Sequence, residues 1–287
     1  MLSLTLGLIA ALCWGVHDVC VRFAATRCGP ATAFLCVLAI GALALAPLMF
    51  LPGQGGDLSA NSLLLAVISG FCYATGGYSL YRAFEIGPVR LVAPVVGAYP
   101  VLSVLWATVQ GTPPSLPQIG AVAAIVAGVG LNAVLSEGHE QESGPDGTDR
   151  VRRALSWSLA ASAGFALTFA FGQAASAGGG GLVLIFVPRL TAFAVLLSAT
   201  MVLDRKAIDL KSAPLGLLLL MGCCDAAALG LVLWSGALPR PEFAAVAAST
   251  FGMITIILAA LFLKERMTPP QWGAVALVFS GVGYLAL

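Results

Sequence analysis

The sequence predicts an all-α polytopic membrane protein, with ten transmembrane helices arranged as two inverted five-helix repeats. Three observations carry this expectation. First, 59% of the 287 residues are hydrophobic and only 9% are charged, against a charged share of about 25% in soluble domains. A soluble chain of this length has too little interior to hide so much apolar surface. Second, the last fifth of the chain repeats an earlier stretch without a gap. Pro117-Gln118-Ile119-Gly120-Ala121-Val122-Ala123 matches Pro270-Gln271-Trp272-Gly273-Ala274-Val275-Ala276 at six of seven positions, 153 residues apart. Gly128-Val129-Gly130 and Gly281-Val282-Gly283 keep the same offset, as do Pro88 and Pro241. Third, the basic residues fall in alternate connections.

Ten apolar runs can be drawn, each about 20 residues long and so able to cross a bilayer as a helix. They are expected near 2–24, 31–51, 62–84, 89–109, 116–135, 154–174, 181–203, 214–234, 243–263 and 270–287. Most connections are short. The exception gathers Glu137, Glu140, Glu142, Asp146, Asp149, Arg150, Arg152 and Arg153 with glycine and proline. It divides the chain into a first repeat (1–136), a polar linker (137–153) and a second repeat (154–287). Pro269 and Pro270 suit the start of the last run, because a first helical turn has no use for the missing amide donors.

Twelve of the fourteen Lys and Arg residues lie at odd-numbered connections. Arg22 and Arg27 follow the first run, and Arg82 and Arg90 flank the third connection. Arg150, Arg152 and Arg153 precede the sixth run; Arg205, Lys206 and Lys211 follow the seventh, and Lys264 and Arg266 the ninth. The positive-inside rule puts these connections in the cytoplasm and both termini in the periplasm of a bacterial-type inner membrane. Five is odd, so a duplicated unit enters the membrane in opposite senses. A substrate site between such repeats is expected near the midplane.

A net charge of +1 gives no basic surface for nucleic acid. The seven cysteines sit mostly inside apolar runs without metal-ligand spacing, so they read as small buried side chains, and no metal or cofactor is expected. No Lys or Arg precedes the first apolar run, unlike a secretory signal. The expected partners are a small molecule and the lipid bilayer, with the chain a monomer or a homodimer.

The sequence resembles the drug/metabolite transporter superfamily, specifically its ten-helix EamA-like exporters. The resemblance rests on the duplication, on the turn Leu263-Lys264-Glu265-Arg266-Met267-Thr268-Pro269-Pro270-Gln271-Trp272-Gly273, and on the step Leu12-Cys13-Trp14-Gly15. It implies export of amino acids or related small metabolites from a central cavity lined by the first, third, fourth, sixth, eighth and ninth spans. The first copy departs from the pattern, with Gly111-Thr112-Pro113-Pro114 where the second has Lys264-Glu265-Arg266-Met267. The charged turn is therefore not expected to be a substrate site. A multidrug or lipid-linked-substrate translocator of the same fold is the nearest alternative. A membrane-embedded enzyme, from a different class, would need convergent acid, base or metal residues that the sequence does not supply.

Polar groups inside apolar runs cost free energy and so mark candidate positions. Trp14, His17 and Asp18 stand at i, i+3 and i+4 and share a helix face, with Arg22 one turn beyond Asp18 as an expected partner. Asp18 or His17 would accept a proton or a substrate amino group. Asp225 lies mid-span in the eighth run and Arg189 follows Pro188 at similar depth in the seventh, so the two are expected to pair, for structure or for coupling. Tyr78 is expected to face the cavity, whereas Tyr81, Arg82 and Glu85 read as anchors at the membrane surface. Tyr99-Pro100, with Pro94, interrupts backbone bonding mid-span; Ser249, Thr250, Gly252 and Met253 are the small or adaptable residues of the opposing region. Phe165, Phe169 and Gln173 follow i, i+4, i+8 and form a further candidate wall. Gly120, Ala124, Gly128, Gly273 and Gly281 allow close helix approach and read as scaffold.

Overall fold

The structure, a computed structural model, describes residues 2–50, 58–109, 114–141, 146–178, 181–265 and 267–285. Its regular elements are all helical among these residues. The first half comprises α1 (Leu2–Cys28), α2 (Pro30–Leu45), α3 (Ala60–Ile86), α4 (Val89–Gly97), α5 (Pro100–Val109) and α6 (Leu116–Gln141). The second comprises α7 (Asp146–Ser176), α8 (Val183–Leu203), α9 (Leu215–Trp234), α10 (Glu242–Ala248), α11 (Phe251–Phe262) and α12 (Pro269–Leu285). The polar sequence between the halves is thus helical on both sides, since α6 runs to Gln141 and α7 begins at Asp146.

Among the described residues, eight helical stretches are long and apolar enough to cross a membrane. Of the other two expected spans, the fourth is divided between α4 and α5, and the tenth is α12, with 17 residues among those described. Side chains on the outer faces are apolar and exposed, among them Leu43, Leu64, Phe71, Leu215 and Leu261, while Asp18, Arg189 and Asp225 are buried. That inside-out arrangement suits lipid as the surrounding solvent.

The fourth and ninth expected spans are each broken in the middle, for different local reasons. Pro100 has no amide donor, so the chain turns at Ala98 and Tyr99, whose amides bond three residues back to Val95 and Val96. In the ninth span, the Ser249 and Thr250 hydroxyls bond back to the carbonyls of Val246 and Ala247 and tighten the turn between α10 and α11. Pro94, inside α4, cannot donate to the carbonyl of Arg90. Asn132 of α6 does so instead, from Nδ2 at 2.8 Å.

The halves interlock in matched pairs. Helix α1 packs on α9 and on the broken pair α10 and α11, and α7 packs on α3 and on the broken pair α4 and α5. The same exchange relates α2 on α9 to α8 on α3, and α6 packs on its own counterpart α12. Two of these crossings use glycine on the contact face. Gly76 of α3 lies against the backbone of Gly164 in α7, and a Cβ there would meet its carbonyl carbon at 3.1 Å. Gly128 and Gly281, partners in the internal repeat, face the carbonyls of Ala274 and Ala121 across the α6–α12 seam. Gly120 and Gly273, also repeat partners, face open space, so only part of the expected small-residue face is used.

Candidate functional site

A chamber lies where α1, α3, α7 and α9 meet the two breaks. Its polar wall carries Trp14, His17 and Asp18 from α1, Tyr73 and Tyr81 from α3, and Asp225 from α9. Phe34, Tyr99, Phe165, Phe169 and Phe251 complete an aromatic shell. The open space is about 20 Å³, of the order that one water needs.

Two carboxylates organise the polar wall. Asp225 Oδ1 accepts from Trp14 Nε1 at 3.1 Å, and its Oδ2 accepts from Tyr73 OH at 2.5 Å and Arg189 Nη2 at 2.7 Å. Further hydrogen bonds from Trp14 and Tyr73 satisfy the carboxylate of this buried ion pair, whereas Arg189 Nε and Nη1 are buried without a partner. Arg189 arrives from α8 behind the wall, with its guanidinium carbon 5.9 Å from the Tyr73 ring centre. Asp18 is held differently. His17 Nδ1 is 2.8 Å from Asp18 Oδ1, and His17 Nε2 is 3.0 Å from Tyr81 OH. Asp18 Oδ2 is buried and has no hydrogen-bond partner.

The aromatic shell is closely knit. Phe169 lies 5.6 Å from Trp14, 5.1 Å from Tyr99 and 6.1 Å from Phe165, centre to centre. Tyr99 donates its hydroxyl to the carbonyl of Ala245 and so ties the break in one span to α10 of the other. Phe169 is also a wall of a second cavity of about 390 Å³, lined by α5, α7 and α10, whose polar members are Gln173 and Glu242.

A family model for EamA-like transporters matches the chain twice, over residues 1–134 and again over 152–287. The chain belongs to the EamA-like transporter family. It is therefore a multi-pass membrane transporter of small molecules, built from two copies of the family unit. No curated protein matches it at sequence level. A protein solved by crystallography superposes with a TM-score of 0.67 at 15% identity, covering 99% of this chain and 98% of its own. That likeness shows the shared fold.

Within this EamA-like transporter, Trp14, His17, Asp18, Tyr99, Phe165, Phe169 and Asp225 converge on one chamber, and Arg189 contacts it through Asp225. Three other candidates do not line it. Tyr78 lies on a different face of α3, edge-on to Trp157 at 6.0 Å, in a groove with Thr75 and Val195. Met253 is exposed on the outer surface. Ser249 is buried, but its hydroxyl is spent on Val246 within the break. Arg22 is not the partner of Asp18; its Nη1 donates to the carbonyls of Phe84 and Gly87, at 2.5 and 2.7 Å. Gln173 turns from Phe165 and Phe169 toward Ser235 Oγ and the Pro241 carbonyl, at 3.1 and 2.9 Å.

Tyr73, Phe34 and Phe251 are site residues that the sequence did not single out, and Tyr81, expected as a surface anchor, is instead buried in the chamber wall. Tyr73, Gly77 and Tyr81 recur every four residues and share one face of α3, a signal obscured by the alternative spacing through Tyr78. Arg82 and Glu85 do pair near the surface, as anchors would.

Proposed function

We propose that this chain is a secondary transporter that exports amino acids or related small metabolites by alternating access between two inverted five-helix repeats. In this reading the ten spans include α4–α5 and α10–α11 as single broken passes, and residues 137–153 join the repeats. The membrane is a bacterial inner membrane, and both termini face the periplasm.

The observation that carries the proposal is the reciprocal packing of the halves around one polar chamber. Each half presents corresponding helices to the other, packed to unequal extents, so rocking one against the other would exchange which set is the more tightly packed. An opening of about 20 Å³ holds no metabolite unless the aromatic walls turn aside, which is what alternation would do. Asp18, with one oxygen unengaged, is the group we assign to the coupling proton or the substrate ammonium.

The test uses purified protein in liposomes with an imposed pH gradient and a panel of amino acids, nucleobases and cationic dyes. Gradient-driven movement of a small metabolite is expected. Asp18→Asn keeps the shape of the side chain but does not titrate, so it should fold and lose the dependence on the gradient. Unchanged pH dependence in that variant would remove Asp18 from coupling.

A further inference from the structure

We infer that the chamber selects an organic monocation, an amine on an apolar or aromatic body, over a zwitterion or an anion. The inference rests on the chamber being the substrate site of the proposed transporter, and it narrows the proposed substrates from amino acids to related amines that lack the carboxylate. It comes from the charge left over on the wall and from which polar atoms remain free.

The charge sum follows from the hydrogen bonds. Around Asp18 stand His17 on α1, Tyr81 on α3 and, across the chamber, Asp225 on α9 with Arg189 behind it. The assignment that gives both the Tyr81 hydroxyl and the His17 ring N–H an acceptor makes His17 neutral: Tyr81 OH donates to Nε2, and Nδ1–H donates to Asp18 Oδ1. Arg189 and Asp225 neutralise each other at 2.7 Å. With Asp18 ionised, one negative charge remains on the wall.

The free atoms have the same polarity. The wall's donors are already engaged: Trp14 and Tyr73 on Asp225, Tyr99 on the Ala245 carbonyl, and Tyr81 on His17. Arg189 stands behind Asp225, its Nη1 lodged in the space left by Gly41 of α2. Arg189 Nε and Nη1 are buried without hydrogen-bond partners, but Arg189 is not part of the chamber lining. A substrate carboxylate entering here would therefore find no unengaged donor on the wall itself. An ammonium would find Asp18 Oδ2, which is buried without a partner. A buried carboxylate oxygen without a partner is costly, and an arriving cation removes that cost. The rings of Trp14, Phe165, Phe169 and Phe251 supply the faces that stabilise a cation released from water.

The experiment is calorimetric binding to the full chain in detergent, using four ligands with a common ring. They are phenethylamine, benzyltrimethylammonium, phenylalanine and 3-phenylpropionate. The two cations are expected to bind at least about tenfold tighter than phenylalanine, a gap of about 1.4 kcal/mol, with phenylpropionate weakest. Asp18→Asn should abolish the preference and Asp18→Glu should keep it, with melting temperatures checking that each variant is folded. Phe251→Leu should weaken the quaternary ligand about twofold to thirtyfold. The ligand series on the unaltered chain decides the matter even if a variant does not fold. Phenylalanine binding as well as the amines, or no member binding, overturns the inference. Tight phenylalanine binding with transport would leave the transporter reading intact. Amine-selective binding with no ligand moving into liposomes would uphold the selectivity and count against transport.

Discussion

Gly41 of α2 vacates the space that the guanidinium of Arg189 fills. A Cβ at residue 41 would overlap Arg189 Nη1 and approach the carbonyl of Gly222 on α9, at 3.1 Å. The smallest substitution there therefore acts on an ion pair between α8 and α9, in the other half of the chain. Gly41→Ala should push the guanidinium off Asp225 and cost about 3–5 kcal/mol, as breaking a buried pair does. Gly120→Ala is the control, because nothing lies within 4 Å of its Cβ position; it should be neutral or stabilise by up to about 1 kcal/mol. Melting temperatures in detergent compare the two. Equal effects at both positions would mean that the glycine at 41 does not serve Arg189.

The pair itself is open to a double-mutant cycle. Arg189→Met and Asp225→Leu should each lower stability by about 3–5 kcal/mol, since each leaves a buried charge without its partner. The double variant should recover part of the loss. Recovery will be incomplete, because Trp14 Nε1 and Tyr73 OH also lose their acceptor when Asp225 is removed. Tyr73→Phe isolates that share and should cost about 1–3 kcal/mol alone. Strictly additive losses for Arg189 and Asp225 would contradict a direct interaction.

The parts of this architecture that were legible in the sequence depend on local pattern. Apolar runs of membrane length, the break at Tyr99-Pro100 and the shared face of Trp14, His17 and Asp18 follow from helix geometry. The 153-residue offset reappears as reciprocal contacts across one seam, Gly128 against Ala274 and Gly281 against Ala121. What local pattern could not settle was competition between partners. Helical spacing offers Arg22 to Asp18, yet three carbonyls at the end of α3 hold Arg22 instead. Asp18 then falls to His17, the adjacent residue, whose ring is fixed from the far side by Tyr81. Tyr78 and Tyr81 were weighed the wrong way round for the same reason. Which face of α3 is inward depends on its close approach to α7 at Gly76 and Gly164, and no feature of α3 alone encodes that.

Orientation in the membrane makes a separate prediction. Twelve basic residues flank odd-numbered connections and Arg240 alone lies in an even-numbered one, so the rule for cytoplasmic loops points one way. A reporter fused after Leu287 should be active in the periplasm. One inserted between Glu142 and Pro145 should be active only in the cytoplasm. The reverse pattern at both sites would invert the orientation and, with it, which face each end of the chamber meets.

The end of the molecule at those basic connections carries a contact between the repeats that the other end cannot copy. Glu265, in the turn after α11, accepts the backbone amides of Val89 and Arg90 at 3.0 and 3.1 Å. A carboxylate there satisfies two unpaired donors and complements the positive end of α4. The corresponding first-repeat turn reads Gly111-Thr112-Pro113-Pro114 and has no carboxylate to offer. One face is therefore bridged between repeats by an acidic cap, and breaking that cap should loosen α4 on that face selectively. Glu265→Ala removes both acceptors and should cost about 0.5–2 kcal/mol, with Glu265→Gln intermediate. Hydrogen exchange of the amides in 89–92 should speed up by about tenfold for a loss near 1.4 kcal/mol. Peptides from the centre of α12 should be unaffected. If exchange in 89–92 is unchanged in Glu265→Ala, the cap does not hold α4, and closure of that face rests on Arg22 and the carbonyls it binds.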